Sequence, residues 1–473
     1  MLPLDPIFKA YDVRGSVPDQ LDAEVCQALG AAFAEFTGAS RVVVARDMRE
    51  SGVPLSQAFV AGAISEGADV TDLGLASTDL LYFASGRLDV PGVMFTASHN
   101  PARYNGVKMC RAGASPIGQD TGLAEIKALA QAWAADRSTP SGDGGARARA
   151  PGLVEQADLL DEYAAHVRSF VDVAALAPLQ VVADTANGMG GLVVPRVMDG
   201  LPFRLEVLYP ELDGNFPNHP ADPIQPENLV DLNARVLASG ADVGLAFDGD
   251  ADRVFLVDEK AQPLSGSLTT AMVAKAMLEK HPGATILYNL ICSKAVPEVI
   301  EENGGVPVRT RVGHSFIKAV MAETGAVFGG EHSGHYYFRD NFRADSGLIA
   351  AMIVLELLST TGQPLSELRR PFERYADSGE INTEVPDPAK VIDGVARELV
   401  GQGDPTLDHT DGLTADWGDW WFNLRPSNTE PLLRLNVEAR TRPALDAHVA
   451  ETLSLIDRAA GDTAGAGSHR RER

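Results

Sequence analysis

The sequence predicts an α/β protein of several domains, and three observations carry that prediction. Runs rich in Val and Ile alternate with Ala- and Leu-rich stretches of helical spacing along the chain, the signature of α/β layers. Three segments, 40–110, 180–257 and 284–330, share the order strand, helix, strand, which suggests related units although no residue-level repeat proves it. After residue 373 the pattern changes to a smaller α+β unit. The length of 473 residues allows about three domains. A composition of 45% hydrophobic and 22% charged residues is that of a folded globular chain, which excludes wholesale disorder and fibrous repeats.

The elements follow in order. A helix is expected near 22–37 and a strand at RVVVARD (41–47). GVMF, from Gly92, reads as a buried strand that ends in a polar loop, and an Asn-Gly turn leads into a second strand, VKMC. VVADTANG (181–188) precedes a helical stretch from residue 190, and VGLAF and VFLVD flank an acidic loop. INTEVP (381–386) and WWFNLRPSNTEPLLRLNVEAR (420–440) are strand-like, followed by a helix at 443–460. Breaks at 138–149, Val257 to Pro263 and 362–372 divide the chain into domains at 1–150, 151–257, 258–366 and 367–460, with a disordered tail at 461–473.

Charge and cysteines narrow the function. Forty Lys and Arg against 65 Asp and Glu give a net charge of −25, which repels nucleic acid and anionic membranes, so neither is expected as a partner. An acidic protein that handles an anionic small molecule must gather its few cations in the site itself. Cys26, Cys110 and Cys292 form neither a disulfide framework nor a metal pair, which points to a reducing compartment. The N-terminus MLPLDPIFKAYDVRG lacks the features of a signal peptide, and the longest apolar run, Gly347 to Leu355, is too short to span a bilayer. A cytoplasmic protein is expected.

Four segments offer chemistry. In GVMFTASHNPARYNGVK (92–108), Ser98 stands in a strand-end loop of the kind where α/β ligand sites gather, with His99 beside it and Lys108 able to meet phosphate. Ser98 is a candidate nucleophile or phosphoryl carrier. In DVGLAFDGDADRVFLVD (242–258), Asp248, Asp250 and Asp252 alternate, and an extended loop would point all three one way, toward a hard cation such as Mg2+. An EF-hand is excluded, because Arg253 stands at its sixth position and a strand follows. FGGEHSGHYYF (328–338) offers Glu331 and Ser333 to sugar hydroxyls and His335 as a proton carrier. RPSNTEP (425–431) offers a guanidinium, hydroxyls and an amide to an anion. AYDVRG adds Tyr11 and Arg14, and GHSFIK (313–318) adds His314 and Lys318.

Together, and in this order, the four segments resemble the α-D-phosphohexomutase family, and within it the bacterial phosphomannomutase/phosphoglucomutase group, from AYDVRG to RPSNTEP. The resemblance implies three related mixed α/β domains and a smaller, mobile C-terminal α+β domain around one central cleft. It implies that Ser98 is carried as phosphoserine, with His99, Lys108 and Arg14 around the transferred group and Lys108 or His335 giving acid/base help. Ser98, Asp248, Asp250 and Asp252 are then the Mg2+ ligands. Tyr11, Arg253, His314, Glu331 and Ser333 belong to the substrate site, and Arg425, Ser427, Asn428 and Thr429 hold the distal phosphate.

The implied reaction moves phosphate reversibly between C6 and C1 of a hexose phosphate through a hexose 1,6-bisphosphate, with mannose as first choice and glucose also accepted. Phosphoglucomutase and phosphoglucosamine mutase are the alternatives within the family. A Mg2+-dependent sugar phosphatase and a non-catalytic sugar-phosphate binding protein are the alternatives outside it. One departure is visible: YNLICSK places Ile291 where relatives carry a lysine, so either Lys294 substitutes or that contact is missing.

Overall fold

Four sheets organise the chain in the computed structural model, which describes residues 2–138, 150–400, 405–427, 432–463 and 471–472. The first contains β1 (Val13–Ser16), β2 (Arg41–Arg46), β3 (Asp69–Leu75), β4 (Gly92–Phe95), β5 (Tyr104–Arg111), β6 (Ser115–Pro116) and β7 (Val154–Gln156), in the order β1-β5-β4-β2-β3-β7 with β6 on β5. The second contains β8 (Gln180–Asp184), β9 (Arg204–Leu208), β10 (Val243–Phe247) and β11 (Val254–Asp258), ordered β11-β10-β8-β9. The third contains β12 (Thr285–Asn289), β13 (Val306–Thr310), β14 (Phe328–Gly330) and β15 (Tyr336–Phe338), ordered β13-β12-β14-β15.

These three sheets repeat one topology. In each, three parallel strands are followed by a fourth that turns back antiparallel on the third: β5 on β4, β11 on β10, β15 on β14. The repetition that the residues alone did not prove is thus explicit in strand order. It has a functional consequence, because the connection between the third and fourth strands leaves from a strand's carboxyl end, where α/β sheets bind ligands. That one connection carries the Ser98 loop in the first unit, the aspartate loop in the second and the Glu331 loop in the third.

Helices cover the sheets for ordinary local reasons. Ala23–Thr37 starts where the Asp22 side chain accepts from Val25 N and stops at Gly38, whose φ of 58° suits a residue without Cβ. The apolar run from Gly347 forms the helix Gly347–Thr361, capped by Ser346 and buried from Leu348 to Leu355 in the core. No single helix among the described residues is long and apolar enough to cross a membrane. All three cysteines are buried and unpaired.

The fourth sheet is wholly antiparallel: β16 (Ala376–Glu384), β17 (Thr406–Asp408), β18 (Leu413–Asp416), β19 (Trp420–Pro426), β20 (Leu432–Ala439) and β21 (Arg471–Glu472), ordered β17-β18-β19-β20-β16-β21. Its apolar core, from Ile381 to Ala460, is its own. The first three units instead share one cluster that runs from Val43 through Val181 and Ile286 to Phe372. The seam between the third and fourth units joins apolar Ile291 and Trp421, which line one cleft there, with several polar pairs. Lys294 Nζ meets Asp416 and Gly418 O, Lys294 N donates to Glu438, and Arg309 meets Asp408.

Several expected boundaries move. β7 extends the first sheet to Gln156, past the expected end at 150. Asp258 still pairs with Val243 inside the second sheet. Leu365 and Phe372 pack in the shared core, so the fourth unit begins near Ala376 rather than at 367. Of the expected disordered tail at 461–473, the described residues are ordered: the last helix continues to Thr463 and Arg471–Glu472 pairs with β16, while 464–470 and 473 lie outside the described residues.

Candidate active site

Ser98 lies where the first and second units meet. Its backbone adopts φ of 50°, in the left-handed region, and its N–H donates to Thr96 Oγ1 at 2.9 Å. The hydroxyl donates to Asp248 Oδ2 at 2.7 Å, across 150 residues of sequence. Arg253 binds the same carboxylate through Nε at 2.9 Å and its own N–H at 3.2 Å, and its Nη2 lies 3.4 Å from Ser98 Oγ. Arg253 Nη2 also donates to His99 Nδ1 at 2.6 Å, which leaves the ring proton on Nε2. Burial, Arg253 and Arg14 hold the His99 pKa well below its ordinary value, so the ring is neutral. Arg14 reaches the loop from β1, donating to Asn100 Oδ1 at 2.6 Å while paired with Asp12 at 2.7 Å.

The three aspartates converge, but not by extended alternation. The segment is a tight turn with Ala251 at φ of 60°, which corrects the expected geometry. Its close approach to the Ser98 loop requires Gly249, since a Cβ there would stand 2.4 Å from Ser98 O. Lys108 Nζ donates to Asp250 Oδ2 and Asp252 Oδ2, both at 2.8 Å. Thr78 Oγ1 donates to Asp250 Oδ2 at 2.6 Å. Burial works against the Lys108 ammonium, yet Asp250 and Asp252 raise its pKa well above the ordinary lysine value. Burial also acts to raise Asp250, but Lys108, Thr78 and Arg253 together hold that carboxyl below the usual range. Asp248 goes the other way, raised by burial despite Arg253.

The triad fits a hard cation. One oxygen from each of Asp248, Asp250 and Asp252 lies within 4.8 Å of the others, and all three residues are buried. Asp250 Oδ1 and Asp252 Oδ1 have no hydrogen-bond partner, an expensive state for buried carboxylates that a divalent ion would relieve.

The third unit closes the other side. His335 Nε2 lies 3.7 Å from Asp252 Oδ1, and Ser333 Oγ meets His335 Nδ1 at 2.9 Å. Glu331 is buried and already engaged: Tyr337 donates at 2.8 Å, Gly313 N at 3.1 Å and Asn289 at 3.4 Å. Tyr11 is not brought to the reacting centre; its hydroxyl donates to Val312 O at 3.2 Å and joins the first unit to the third. His314 opens the helix His314–Thr324, but its side chain lies outside the described residues, as do Asn428 and Thr429 entirely. Lys318 is buried against Asp345 at 2.8 Å with its ammonium 3.8 Å from the Tyr82 ring centroid, another joint between units.

Arg425, in β19, is held inside the fourth unit by Glu380 and by Asn436 at 2.7 Å. Arg434 supports Ser427, with Nη2 3.4 Å from its Oγ. Lys294 does not take the place of a lysine at 291. Its ammonium is committed to Asp416 at 2.6 Å and Gly418 O at 2.7 Å, while Ile291 lines a small cleft with Ser267, His332 and Trp421. Sequence reasoning missed Thr78, Gly249, Glu380 and Arg434. Gly249 was inside the DGDADR motif and could have been flagged as its close-approach residue; the others carried no local signal.

Comparisons with known proteins agree with this layout. Residues 5–137, 161–262 and 265–375 match the phosphoglucomutase/phosphomannomutase alpha/beta/alpha domains I, II and III, and residues 380–455 match the C-terminal domain. The chain is 41% identical over 444 residues to the phosphohexose mutases of Xanthomonas campestris pv. campestris, covering 93% of this chain and 96% of that one. It is 39% identical over 458 residues to a phosphomannomutase of Escherichia coli K12, covering 95% and 98%. Among solved structures, a phosphoglucomutase/phosphomannomutase family protein of Burkholderia thailandensis superposes with TM-score 0.86 at 33% identity over 98% of both chains. With four domain matches in order and relatives similar along nearly their full length, the chain belongs to the phosphoglucomutase/phosphomannomutase family.

Proposed function

We propose that the protein is a phosphomannomutase that interconverts mannose 6-phosphate and mannose 1-phosphate through phosphorylated Ser98 and a mannose 1,6-bisphosphate, and that it also accepts glucose phosphates. The observation that carries this reading is the convergence of Ser98 Oγ on Asp248 at 2.7 Å, with Arg253 on the same carboxylate, Lys108 on the neighbouring Asp250 and Asp252, and His335 facing the triad from the third unit. The phosphoryl carrier Ser98, the cation Arg253 and the proton carrier His335 thus come from three repeats of one connection, and Lys108 joins them from β5.

In the forward step a sugar hydroxyl oxygen attacks phosphorus, the bond from phosphorus to Ser98 Oγ breaks, and the hydroxyl proton leaves for a base. Turning the bisphosphate end for end and reversing the step on its other phosphate regenerates phosphoserine. Arg253, Lys108 and Arg14 oppose charge on the transferring group, which is the main way proteins speed this chemistry. Lys108 is held as an ammonium and serves as cation or proton donor, while His335, 3.7 Å from Asp252, is the proton acceptor in this reading. Ser98, Asp248, Asp250 and Asp252 would hold Mg2+, which supplies positive charge to the phosphoryl oxygens. In this reading Arg425, Ser427, Asn428 and Thr429 take the distal phosphate, Ser333 and Glu331 the sugar hydroxyls, and Tyr11 and His314 are further substrate-binding residues.

Product analysis tests the reading. With mannose 6-phosphate, Mg2+ and a trace of bisphosphate, mannose 1-phosphate should accumulate to equilibrium without free phosphate. Inorganic phosphate as the main product would make the protein a phosphatase.

A further inference from the structure

Arg49 is among the largest fully buried side chains in the molecule, and each of its five N–H groups has an acceptor. Nε donates to Asp47 Oδ2 at 3.2 Å. Nη1 donates to Pro101 O and Tyr104 O, both at 3.0 Å, and Nη2 to Ser98 O at 2.7 Å and Asn100 O at 2.6 Å. Three carbonyls of the Ser98 loop and that of Tyr104, where β5 begins, therefore converge on one guanidinium. Asp47 also accepts from Arg49 N at 2.9 Å and from the Thr96 hydroxyl, whose oxygen takes the Ser98 N–H. Both backbone groups of Ser98 thus lead, through one intermediary each, to the same carboxylate. The second unit locks the pair from above: the Phe216 ring lies 5.2 Å from the guanidinium, and a Cβ on Gly214 would come within 2.7 Å of Arg49 Cα.

We propose that Asp47 and Arg49 are a positioning pair that holds Ser98 in its left-handed conformation and so aims the phosphoryl group, without touching substrate. The inference rests on the reading of Ser98 as phosphoryl carrier. A left-handed serine is disfavoured and persists only where its surroundings over-determine it; loop carbonyls bound to a planar fork do so, and a lysine cannot reproduce that fork.

The test compares wild type, Arg49→Lys and Thr96→Val in the full-length protein, with mannose 6-phosphate as substrate. Intact mass first establishes phosphate on wild-type Ser98. Arg49→Lys should then lower kcat by about a hundredfold with KM within about threefold, since a 1 Å error in aim has about that effect. It should also speed loss of inorganic phosphate from the isolated phosphoenzyme, because a misaimed group is less well shielded. Thr96→Val, which removes one hydroxyl, should show the same split at about tenfold, and it decides the matter if Arg49→Lys fails to fold. Lowered thermal stability with wild-type kcat and wild-type phosphoenzyme hydrolysis would overturn the positioning role alone. A wild-type protein that neither carries phosphate on Ser98 nor isomerises the sugar defeats the mutase reading, and the positioning role with it.

Discussion

Replacing Gly249 by Ala asks whether the aspartate loop and the Ser98 loop must touch. The added Cβ would stand 2.4 Å from Ser98 O and 3.1 Å from Ser98 C. Since an ordinary contact is about 3.4 Å or more, the loops would have to part by about 1 Å. Neither side yields easily. Ser98 O is held by Arg49 Nη2 at 2.7 Å, and behind the aspartate loop Met189 N donates to Gly249 O at 2.9 Å while a Cβ on Gly188 would lie 2.7 Å from that oxygen. The displacement falls on the 2.7 Å contact of Ser98 with Asp248. Misplacement on this scale lowers turnover by about a hundredfold, or roughly 2.7 kcal/mol in the barrier. Steady-state kinetics on Gly249→Ala should show that loss mainly in kcat, with near-native circular dichroism. Wild-type kcat in a folded Gly249→Ala protein would refute the argument that the site depends on this approach.

Other predictions follow from the same geometry. Asp250→Asn, or excess chelator, should lower kcat by orders of magnitude while the fold survives, because the triad loses its ligand charge or its cation; full activity in chelator contradicts the metal assignment. Galactose 1-phosphate, inverted at C4, should have kcat/KM ten- to a hundredfold or more below mannose 1-phosphate, the effect of a lost charged hydrogen bond of about 1.5–3 kcal/mol. Equal turnover of the two would remove Glu331 and Ser333 from hydroxyl recognition. Asp79, buried among Ser77, Tyr163 and Ser346, has its pKa raised by burial to about 7 from 3.8. The folded chain then keeps a proton that the unfolded chain loses, so this group's stabilisation is complete below about pH 4 and is lost as pH rises through about 7, a span of roughly 4 kcal/mol. Asp79→Asn should flatten the pH dependence of the thermal midpoint across that window, and an unchanged slope argues against it.

The sequence was most legible where chemistry is local. TASHNP, DGDADR and GEHSGH could be placed at strand ends because apolar β-runs stop abruptly before polar residues, and the structure puts all three on one equivalent connection. The order of those strands in each sheet was not legible, because parallel pairing leaves no trace in spacing. Contacts between units were also hidden. Nothing near Ser98 announces a partner 150 residues away, nor near Thr78 one 172 residues away. The aspartate turn was misjudged as extended because alternation of Asp with small residues fits both a strand and a turn; only Ala251's positive φ decides. Lys294 was left open by the sequence, as a substitute for a lysine at 291 or as no part of that contact; only the bonds of its ammonium to Asp416 and Gly418 O in the fourth unit decide between the two.

The central claim is that Ser98 takes a phosphoryl group and returns it to a hexose rather than to water. The most direct measurement charges the protein with labelled phosphate from a hexose 1,6-bisphosphate, confirms the label at residue 98 by peptide mass, and adds unlabelled mannose 6-phosphate in a single turnover. The account predicts that the label leaves Ser98 and appears in mannose 1,6-bisphosphate and then mannose 1-phosphate, and that Ser98→Ala neither takes up label nor turns over. Label released as inorganic phosphate, label that stays on the protein, or wild-type turnover by Ser98→Ala would contradict it.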